Sequence, residues 1–440
     1  MQESPPTEEA EPKSPSRGWL SRIHTFQALR HRDFRLLWMG QLSVSMGLWM
    51  DNVARSWLIY SLTGSALDLG FAAAARGIPM LIFGPIAGVV ADRYNKKIQL
   101  ACAQGASVLL NFLLASLVLF GHVQPWHVYL TGFFAGLVQA FQMPARFTLV
   151  NDIVGPKDLL NAVALSSVAQ QLSRSIGPAI AGVLIAGIGV HGSYYVQAGM
   201  YLVATMWTLQ IRMPPRPTVS ARTREPMLKS LTAGLAYVRA TPHLRALILL
   251  ALGPLTLGMC YSSMMPLFAQ DILGGGAKLQ GLLLTCVGIG AFIGAVIVAS
   301  IPRNTGYGRG VALGAAAFLI AVMLFSRSHW VPASLVLGAV IGLFTTTYQT
   351  QNQTLLQLAA PDKLRGRVLS IYALNVGLMP MGALLAGALA HWIGAPNAVT
   401  ILTGAGLVLV FCVALLTPGF WSWRVRVAAS GEVVQSASRG

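Results

Sequence analysis

One carboxylate, that of Asp51, lies well inside an apolar stretch long enough to cross a membrane. The rest of the 14 acidic residues fall in the termini, in loops or near the ends of such stretches. Burial favours the protonated form of a carboxyl group, whereas a nearby cation favours the ionised form. Ionisable side chains are costly inside a bilayer. Asp51 is therefore the candidate for a side chain that binds and releases a proton within a membrane.

Arg55 follows Asp51 by four residues, which places both side chains on one face of a helix. Two interpretations stay open. In the first, Asp51 exchanges a proton. In the second, Asp51 and Arg55 form a static ion pair, because a guanidinium beside a carboxylate keeps the carboxylate ionised.

Other polar side chains inside apolar stretches are candidates for contact with a solute. Arg76 either joins Asp51 across a helix interface or faces an anionic solute in a cavity. The run 345–354 is too polar to face lipid, so much of it must face a cavity, another helix or the cytoplasm. The predicted cavity residues are Arg76, Gln139, Tyr348, Gln349, Asn352 and Gln353.

The composition predicts a polytopic helical membrane protein. Hydrophobic residues make up 55% of the chain and charged residues 10%, whereas soluble domains carry about 25% charged residues. The formal net charge is +17, but the basic residues lie in short loops, which argues against nucleic-acid binding. The four cysteines lack paired spacing and flanking histidines, so we expect no metal or other cofactor. Enzyme signatures such as a P-loop or HExxH are absent from the sequence, so we expect no enzyme.

Apolar stretches of membrane-crossing length recur along the chain, and twelve is the best count. If both termini are cytoplasmic, the predicted cytoplasmic segments carry most of the 31 Lys and Arg residues, as the positive-inside rule requires. The predicted spans are 36–61, 66–91, 98–120, 126–150, 159–189, 193–211, 246–270, 279–301, 310–326, 331–357, 367–392 and 397–417.

The spans divide into two similar groups of six. At one constant offset Gly177 corresponds to Gly382, and Gly182 corresponds to Gly387. We therefore predict an all-α membrane protein with two pseudo-symmetric six-helix halves. The predicted parts are a cytoplasmic N-terminal tail with a surface helix (1–35), a first half (36–211), a cytoplasmic linker (212–245), a second half (246–418) and a cytoplasmic tail (419–440).

A short polar turn, 88–97, joins the second and third spans and reverses the chain at one membrane face. A glycine at position 88 allows a neighbouring helix to approach closely. The turn matches the pattern G-x-x-x-D-R-x-x-[RK]-[RK], and the chain resembles the major facilitator superfamily over about 25–420. Three further stretches resemble a bacterial branch that includes enterobactin exporters and macrolide-efflux-like proteins: 58–65, 143–146 and 364–370.

The resemblance implies further roles. Residues 173–182 resemble the glycine-proline signature of the family's exporters, which predicts a kink and close packing at Gly177, Pro178 and Gly182. Arg93 is expected to pair with Asp152, and we also assign Arg146 to this cytoplasmic gate. The full set of predicted gate residues is Gly88, Asp92, Arg93, Lys96, Lys97, Asp152 and Arg365.

The function implied is secondary active export of a small molecule by alternating access, with proton antiport as the drive. Several arginines and one acid suit an anionic or phenolate-bearing solute such as a siderophore. The expected partners are this solute, protons and the lipid bilayer, in a monomer of the bacterial inner membrane. Two alternatives stay open: a broad-specificity multidrug exporter of the same fold, and a membrane sensor or assembly partner that moves no solute.

Overall fold

The computed structural model describes residues 27–212, 235–300, 306–361, 364–427 and 433–436. Most of the predicted N-terminal tail and of the linker 212–245 lies outside these ranges. Helices account for most of the described chain, as predicted. Their bounds are α1 Arg32–Thr63, α2 Ala66–Arg93, α3 Lys96–Leu119, α4 Pro125–Leu209, α5 Pro242–Leu252, α6 Gly276–Ser300, α7 Gly308–Ser326, α8 Val331–Ala359, α9 Arg365–Gly377, α10 Met379–Ile393 and α11 Ala395–Leu416.

Short turns with local hydrogen bonds separate the first three helices. Gly64 ends α1 in the left-handed conformation (φ 60°), which glycine adopts without steric cost. The Ser65 side chain then caps α2. At the turn 88–97, the Asn95 side chain accepts hydrogen bonds from the backbone N–H groups of Lys97 (3.0 Å) and Ile98 (3.4 Å). This cap starts α3 only two residues after α2 ends, as the short turn predicted.

Helix α4 is a chain of three helical sections. Its φ and ψ angles are non-helical at Gly155 (φ 68°) and Gly189 (φ 79°), which separate sections 125–154, 156–188 and 190–209. Positive φ angles of this kind favour glycine. Both breaks fall at or near the ends of apolar stretches in the sequence. Between the breaks the backbone keeps helical angles through Gly177 and Pro178, so the predicted kink is not a break in the helix.

The segment after α5 departs from the expected regular helix. It runs through π-helix at Gly253–Gly258, 3₁₀-helix at Met259–Ser262, a helical turn at Met265–Leu267 and π-helix again at Phe268–Ile272. Pro254 and Pro266 lie in this segment, and each lacks the N–H group that a regular helix uses. In a similar way the predicted eleventh span divides at Leu378, two residues before Pro380.

A small antiparallel sheet, which the sequence analysis did not predict, ties the end of the chain to α7. Its strands are β1 Gly306–Tyr307, β2 Arg424–Val427 and β3 Val433–Ser436, in that order. Just before β2, the side chains of Phe420 and Trp423 are fully buried. The Trp423 ring stacks on His243 with centroids 4.8 Å apart. These contacts hold residues 418–427 against the start of α5 and α7.

Within the described ranges, nine helical segments are long and apolar enough to cross a membrane. One of them, 157–209, includes the break at Gly189. Many large apolar side chains point outward, including Leu109 at 71% exposure and Leu415 at 69%. Exposed apolar surface on this scale is typical of a protein that faces lipid.

The helix ends lie on two faces of the bundle. We call the end that carries Arg32, Asn95, Gly155, Arg212 and Arg365 the basic face, and the end with the turns at Gly64, Gly121, Gly189, Gly275 and Gly394 the opposite face. Small residues bring helices of the first and second groups into contact nearer the opposite face. A Cβ added at Gly70 of α2 would lie 2.9 Å from the carbonyl oxygen of Ala383 in α10.

Section 156–188 and α6 form a second close contact between the groups. A Cβ added at Gly182 would lie 3.0 Å from the carbonyl oxygen of Ala277 and 3.1 Å from the Cα of Gly281. A Cβ added at Gly177 would lie 2.8 Å from the Cβ of Trp49 in α1. Residues 177–182 therefore pack as closely as their small side chains predicted.

Candidate functional site

Two arginines hold the Asp51 carboxylate in the body of α1. The Arg55 guanidinium, one helical turn away, donates Nε to Oδ2 (3.2 Å) and Nη2 to Oδ1 (3.0 Å) of Asp51. From α2, Arg76 donates Nη1 to Oδ2 of the same carboxylate. Asp51 is 4% exposed and Arg55 6% exposed. The carboxylate therefore meets one positive charge on its own helix and another across the helix interface.

Arg55 also ties α1 to α4. Its Nη1 donates to the backbone oxygen of Val128 (3.0 Å) and to the hydroxyl oxygen of Thr131 (2.9 Å). The guanidinium thus has partners on two elements, and its geometry fits a fixed structural group. Asp51 and Arg55 are thus in contact, as their spacing predicted, and whether Asp51 also exchanges a proton stays open. Thr131 adds a partner of Arg55 that the sequence analysis did not identify.

Arg76 combines both of the roles that the sequence left open. Besides Asp51, it contacts Asn52 Oδ1 through Nη1 and Gln139 Oε1 through Nη2, each at 3.4 Å. Its side chain is 17% exposed, more than that of Arg55 at 8%. Arg76 therefore joins α1 to α2 and also reaches an open space beside α4.

That space is a cavity of about 170 Å³ between α1, α2, α3 and α4. Three guanidinium groups and one carboxylate line it, which gives the lining a formal charge of +2. The polar lining residues are Ser45, Asp51, Arg55, Arg76, Ser107, Asn111, Gln139, Gln142, Arg146, Gln170 and Tyr201. A lining of this charge attracts an anion far more strongly in a low-dielectric surrounding than in water.

Arg146 lines the cavity, and its assignment to the gate stays a prediction. Its Nη2 is 3.4 Å from Gln142 Oε1. Asp152, the acid assigned to the same gate, is bonded to Lys96 Nζ at 2.6 Å. Six residues separate Arg146 from Asp152, so the two side chains project from different sides of the helix.

The remaining gate residues are placed as follows. Lys96 and Asp152 join the start of α3 to the end of section 125–154. Arg365 Nε donates to the backbone oxygen of Gln357 (2.9 Å) within the second group of helices. Lys97 begins α3. The side chains of Asp92 and Arg93 lie outside the described part of the structure, so the expected pairs of these two residues stay predictions.

Gly88 has open space around it among the described atoms. No described atom lies within 4 Å of a Cβ added at Gly88, and the same holds one turn earlier at Gly84. The described atoms thus show no packing at these two glycines as close as that at Gly70. The predicted close approach at Gly88 stays a prediction.

The predicted polar residues of α8 do not reach the cavity. Tyr348 and Asn352 are fully buried. The Tyr348 ring stacks on Phe318 of α7, with centroids 5.8 Å apart. Gln349 is half-buried and Gln353 is exposed, and neither lines the cavity. Contact between these four side chains and a solute therefore stays a prediction.

Among the residues that the structure describes, no group of three or more His, Cys, Asp and Glu side chains is arranged to hold a metal ion. The chemistry that the described site offers is the binding of charge by guanidinium, amide and carboxylate groups.

Comparisons with known proteins agree with this architecture. A sequence profile of transmembrane secretion effectors matches residues 23–432. The chain is 26% identical over 341 residues to the staphyloferrin A transporter of Staphylococcus aureus (strain NCTC 8325 / PS 47), which covers 77% of this chain and 85% of that protein. It is also 26% identical over 406 residues to the enterobactin exporter EntS of Escherichia coli O1:K1 / APEC, covering 90% of this chain and 94% of that protein.

Solved structures share the fold at low sequence identity. A bacterial homolog of the human lysosomal transporter Spinster superposes with a TM-score of 0.69 at 15% identity, over 89% of this chain and 97% of that chain. The nucleoside transporter NupG superposes with a TM-score of 0.67 at 12% identity, over 88% and 98%. Together with the profile match, these findings confirm the resemblance carried by the turn 88–97. The chain is an integral membrane transporter of the major facilitator superfamily and belongs to its transmembrane secretion effector family.

Proposed function

We propose that this protein exports an anionic small molecule of the siderophore type by alternating access. The observation that carries the proposal is the cavity charge: Arg55, Arg76 and Arg146 face it, with Asp51 as the single carboxylate. The relatives named for staphyloferrin A and enterobactin support a siderophore-like solute. An inside-negative membrane potential also favours the exit of an anion, by about 2.3 kcal/mol per charge for each 100 mV.

The proposal includes the two-half architecture. Counting the three sections of α4, taking α5 with the irregular segment to Ile272 as one pass and α9 with α10 as another, twelve passes separate into six before the linker 212–245 and six after it. We assign 36–211 and 246–418 to the two halves. The contacts of α2 with α10, and of section 156–188 with α6, then lie between the halves.

We place the basic face in the cytoplasm, with both termini, the tail 419–440 and the linker on that side. The support is the distribution of Lys and Arg in the sequence. The relatives are bacterial, which supports the inner membrane as the location. A monomer is the proposed transporting unit.

The packing supports a carrier that is closed toward the opposite face. Tyr60 of α1 donates a hydrogen bond to Asp271, and Gln280 of α6 donates to the Ser56 hydroxyl (2.8 Å). By contrast, the described atoms show no close packing of α2 at Gly84 and Gly88 near the basic face. We propose that the gate residues around 88–97 close the cytoplasmic side when the halves rock and these opposite-face contacts part.

We propose proton antiport with Asp51 as the proton site. Antiport requires that the proton and the solute drive different legs of the cycle. If the solute anion and the Asp51 carboxylate simply competed for Arg76, protonation of Asp51 would free Arg76 and the anion would bind more tightly. Proton and solute would then bind together, which is the opposite of antiport. Proton binding must therefore act on the empty carrier: neutral Asp51 releases Arg76, loosens α1 from α2 and permits the return step.

Transport into inside-out vesicles tests the proposed function. Vesicles that contain the protein should accumulate an anionic siderophore, and Arg76→Gln vesicles should accumulate much less at equal protein content. Accumulation of many unrelated hydrophobic compounds with no preference for anions would favour the multidrug alternative. Absence of transport for every compound in a siderophore and drug panel would contradict the proposal and favour the sensor alternative.

A further inference from the structure

Arg146 is a cation without a carboxylate partner among the described side chains. No described carboxylate oxygen lies within 4.0 Å of its guanidinium, which makes a long contact of 3.4 Å with Gln142 Oε1. Its Nε is enclosed and has no hydrogen-bond partner there. Enclosing a guanidinium away from water is costly unless an anion or ordered water compensates it. Arg146 lines the cavity, so an anion in the cavity would lie within reach of this guanidinium.

Arg146 and Arg76 each contact a glutamine of α4, and these two glutamines indicate the spacing of the two guanidinium groups. Arg76 contacts Gln139 and Arg146 contacts Gln142, both at 3.4 Å. Gln139 and Gln142 lie on one face of α4 about one turn apart, and Gln139 and Arg146 about two turns apart. The rise of 1.5 Å per residue places the two cationic groups roughly 5–10 Å apart along α4.

The two arginines differ in whether the guanidinium already has a carboxylate partner. Arg76 already serves Asp51, so a solute anion must share it or displace it. Arg146 has no such competitor within the described structure. The same cavity is lined by Asn111, whose amide donates to the Ser107 backbone oxygen (2.7 Å) and whose own oxygen is enclosed without a partner among the described atoms. The site thus offers two cationic groups and further polar groups in one cavity.

We propose that the cavity binds an organic anion with two acidic groups, one at Arg146 and the other at Arg76, and that Arg146 determines the preference for dianions over monoanions. This inference rests on the proposed function, because it names the solute class of the same cavity. The guanidinium fork of Arg146 donates two hydrogen bonds to the two oxygens of one carboxylate or catecholate, a geometry that an ammonium group does not match.

Calorimetric titration of the purified full-length protein in detergent tests the inference without transport. The probes are straight-chain dicarboxylates of graded length and the monocarboxylate of matched length for each. Wild type should bind the best dicarboxylate at least about tenfold more tightly than its monocarboxylate. Arg146→Gln should weaken the binding of both ligands and abolish that ratio, because only Arg76 then remains to bind an acidic group, whereas Arg146→Lys should restore the ratio in part.

Lys157→Gln is the matched control, because it removes one positive charge from an exposed position on the basic face. The control should keep the wild-type ratio, and thermal unfolding confirms that each variant is folded. An Arg146→Gln protein with the wild-type ratio, or a wild type that binds neither ligand class, would overturn the inference. If dianion binding depends on Arg146 but the protein transports no solute, the proposed function is contradicted and the inference is not. If the protein transports solutes but Arg146→Gln does not change their binding, the inference is contradicted and the proposed function is not.

Discussion

The Tyr60 hydroxyl donates a hydrogen bond to the Asp271 carboxylate and joins α1 to the irregular segment before α6. This bond connects the two groups of helices at the opposite face, beside the Gln280–Ser56 bond. Both bonds must break if the carrier is to open there. Removing either bond should therefore change the equilibrium between states that are closed and open at the opposite face.

Tyr60→Phe should shift that equilibrium toward opening at the opposite face. A hydrogen bond to a charged group contributes about 1.5–3 kcal/mol, so the ratio of open to closed molecules should rise by about tenfold or more. Spin labels at Leu62 and Lys278, in a background without native cysteines, should report a larger share of long distances. Both positions are exposed near the opposite face.

Tyr129→Phe is the control for this experiment. Tyr129 donates to Asp68 at 2.5 Å, and both residues lie in the first group of helices. This variant removes a tyrosine–aspartate bond without touching the contact between groups. An equal shift in the control, or no shift in Tyr60→Phe, would show that the Tyr60–Asp271 bond does not hold this face closed.

Asp51→Asn should destabilise the protein, because it leaves Arg55 and Arg76 without their counter-charge. Breaking a buried ion pair costs about 3–5 kcal/mol. The double variant Asp51→Asn/Arg55→Gln should recover part of the loss in thermal unfolding. A double variant that is less stable than Asp51→Asn would mean that Arg55 stabilises the fold mainly through Val128 and Thr131.

Gly182→Val should lower the thermal unfolding temperature, since its Cβ would lie 3.0 Å from the Ala277 carbonyl oxygen. Overpacking of this kind costs about 1–3 kcal/mol. Gly187→Val, five residues further along the same helix, is the matched control because no described atom lies within 4 Å of its Cβ position. Similar effects of the two substitutions would indicate a general cost of valine in this helix instead of close packing at Gly182.

Exchanging the charges of Lys96 and Asp152 tests their pair. Lys96→Asp alone should slow transport, because it places two carboxylates together at the start of α3. Lys96→Asp combined with Asp152→Lys should restore the rate at least in part. Stability should change by no more than about 1 kcal/mol, since the pair is partly exposed. If the double variant does not recover transport, the attraction between residues 96 and 152 is not what transport requires.

The sequence predicted the features that depend on local patterns. Apolar stretches located the helices, the turn chemistry near Asn95 located a reversal, and a four-residue spacing predicted the pair of Asp51 and Arg55. It did not predict the irregular segment 253–272, because a buried apolar run leaves the helix type undetermined when prolines and tertiary packing compete.

Side-chain direction was the feature that the sequence left least determined. Arg146 was assigned to the gate and Tyr348 to a cavity, but helices that are apolar on most faces carry little information about their rotation. The structure turns Arg146 inward beside Gln142 and turns Tyr348 toward Phe318. A signal for Arg146 did exist in the sequence: it lies one turn beyond Gln142 on the same helical face as Gln139.

The central claim is that solute export is coupled to protons through Asp51. The most direct measurement is solute-stimulated proton flux in proteoliposomes that contain wild type or Asp51→Asn. A thermal unfolding experiment first shows that the Asp51→Asn protein is folded. The account predicts that an anionic siderophore drives proton flux in the opposite direction in wild type, and that Asp51→Asn transports without proton flux or not at all. Unchanged proton coupling in folded Asp51→Asn would contradict the claim and leave Asp51 as a structural partner of its two arginines.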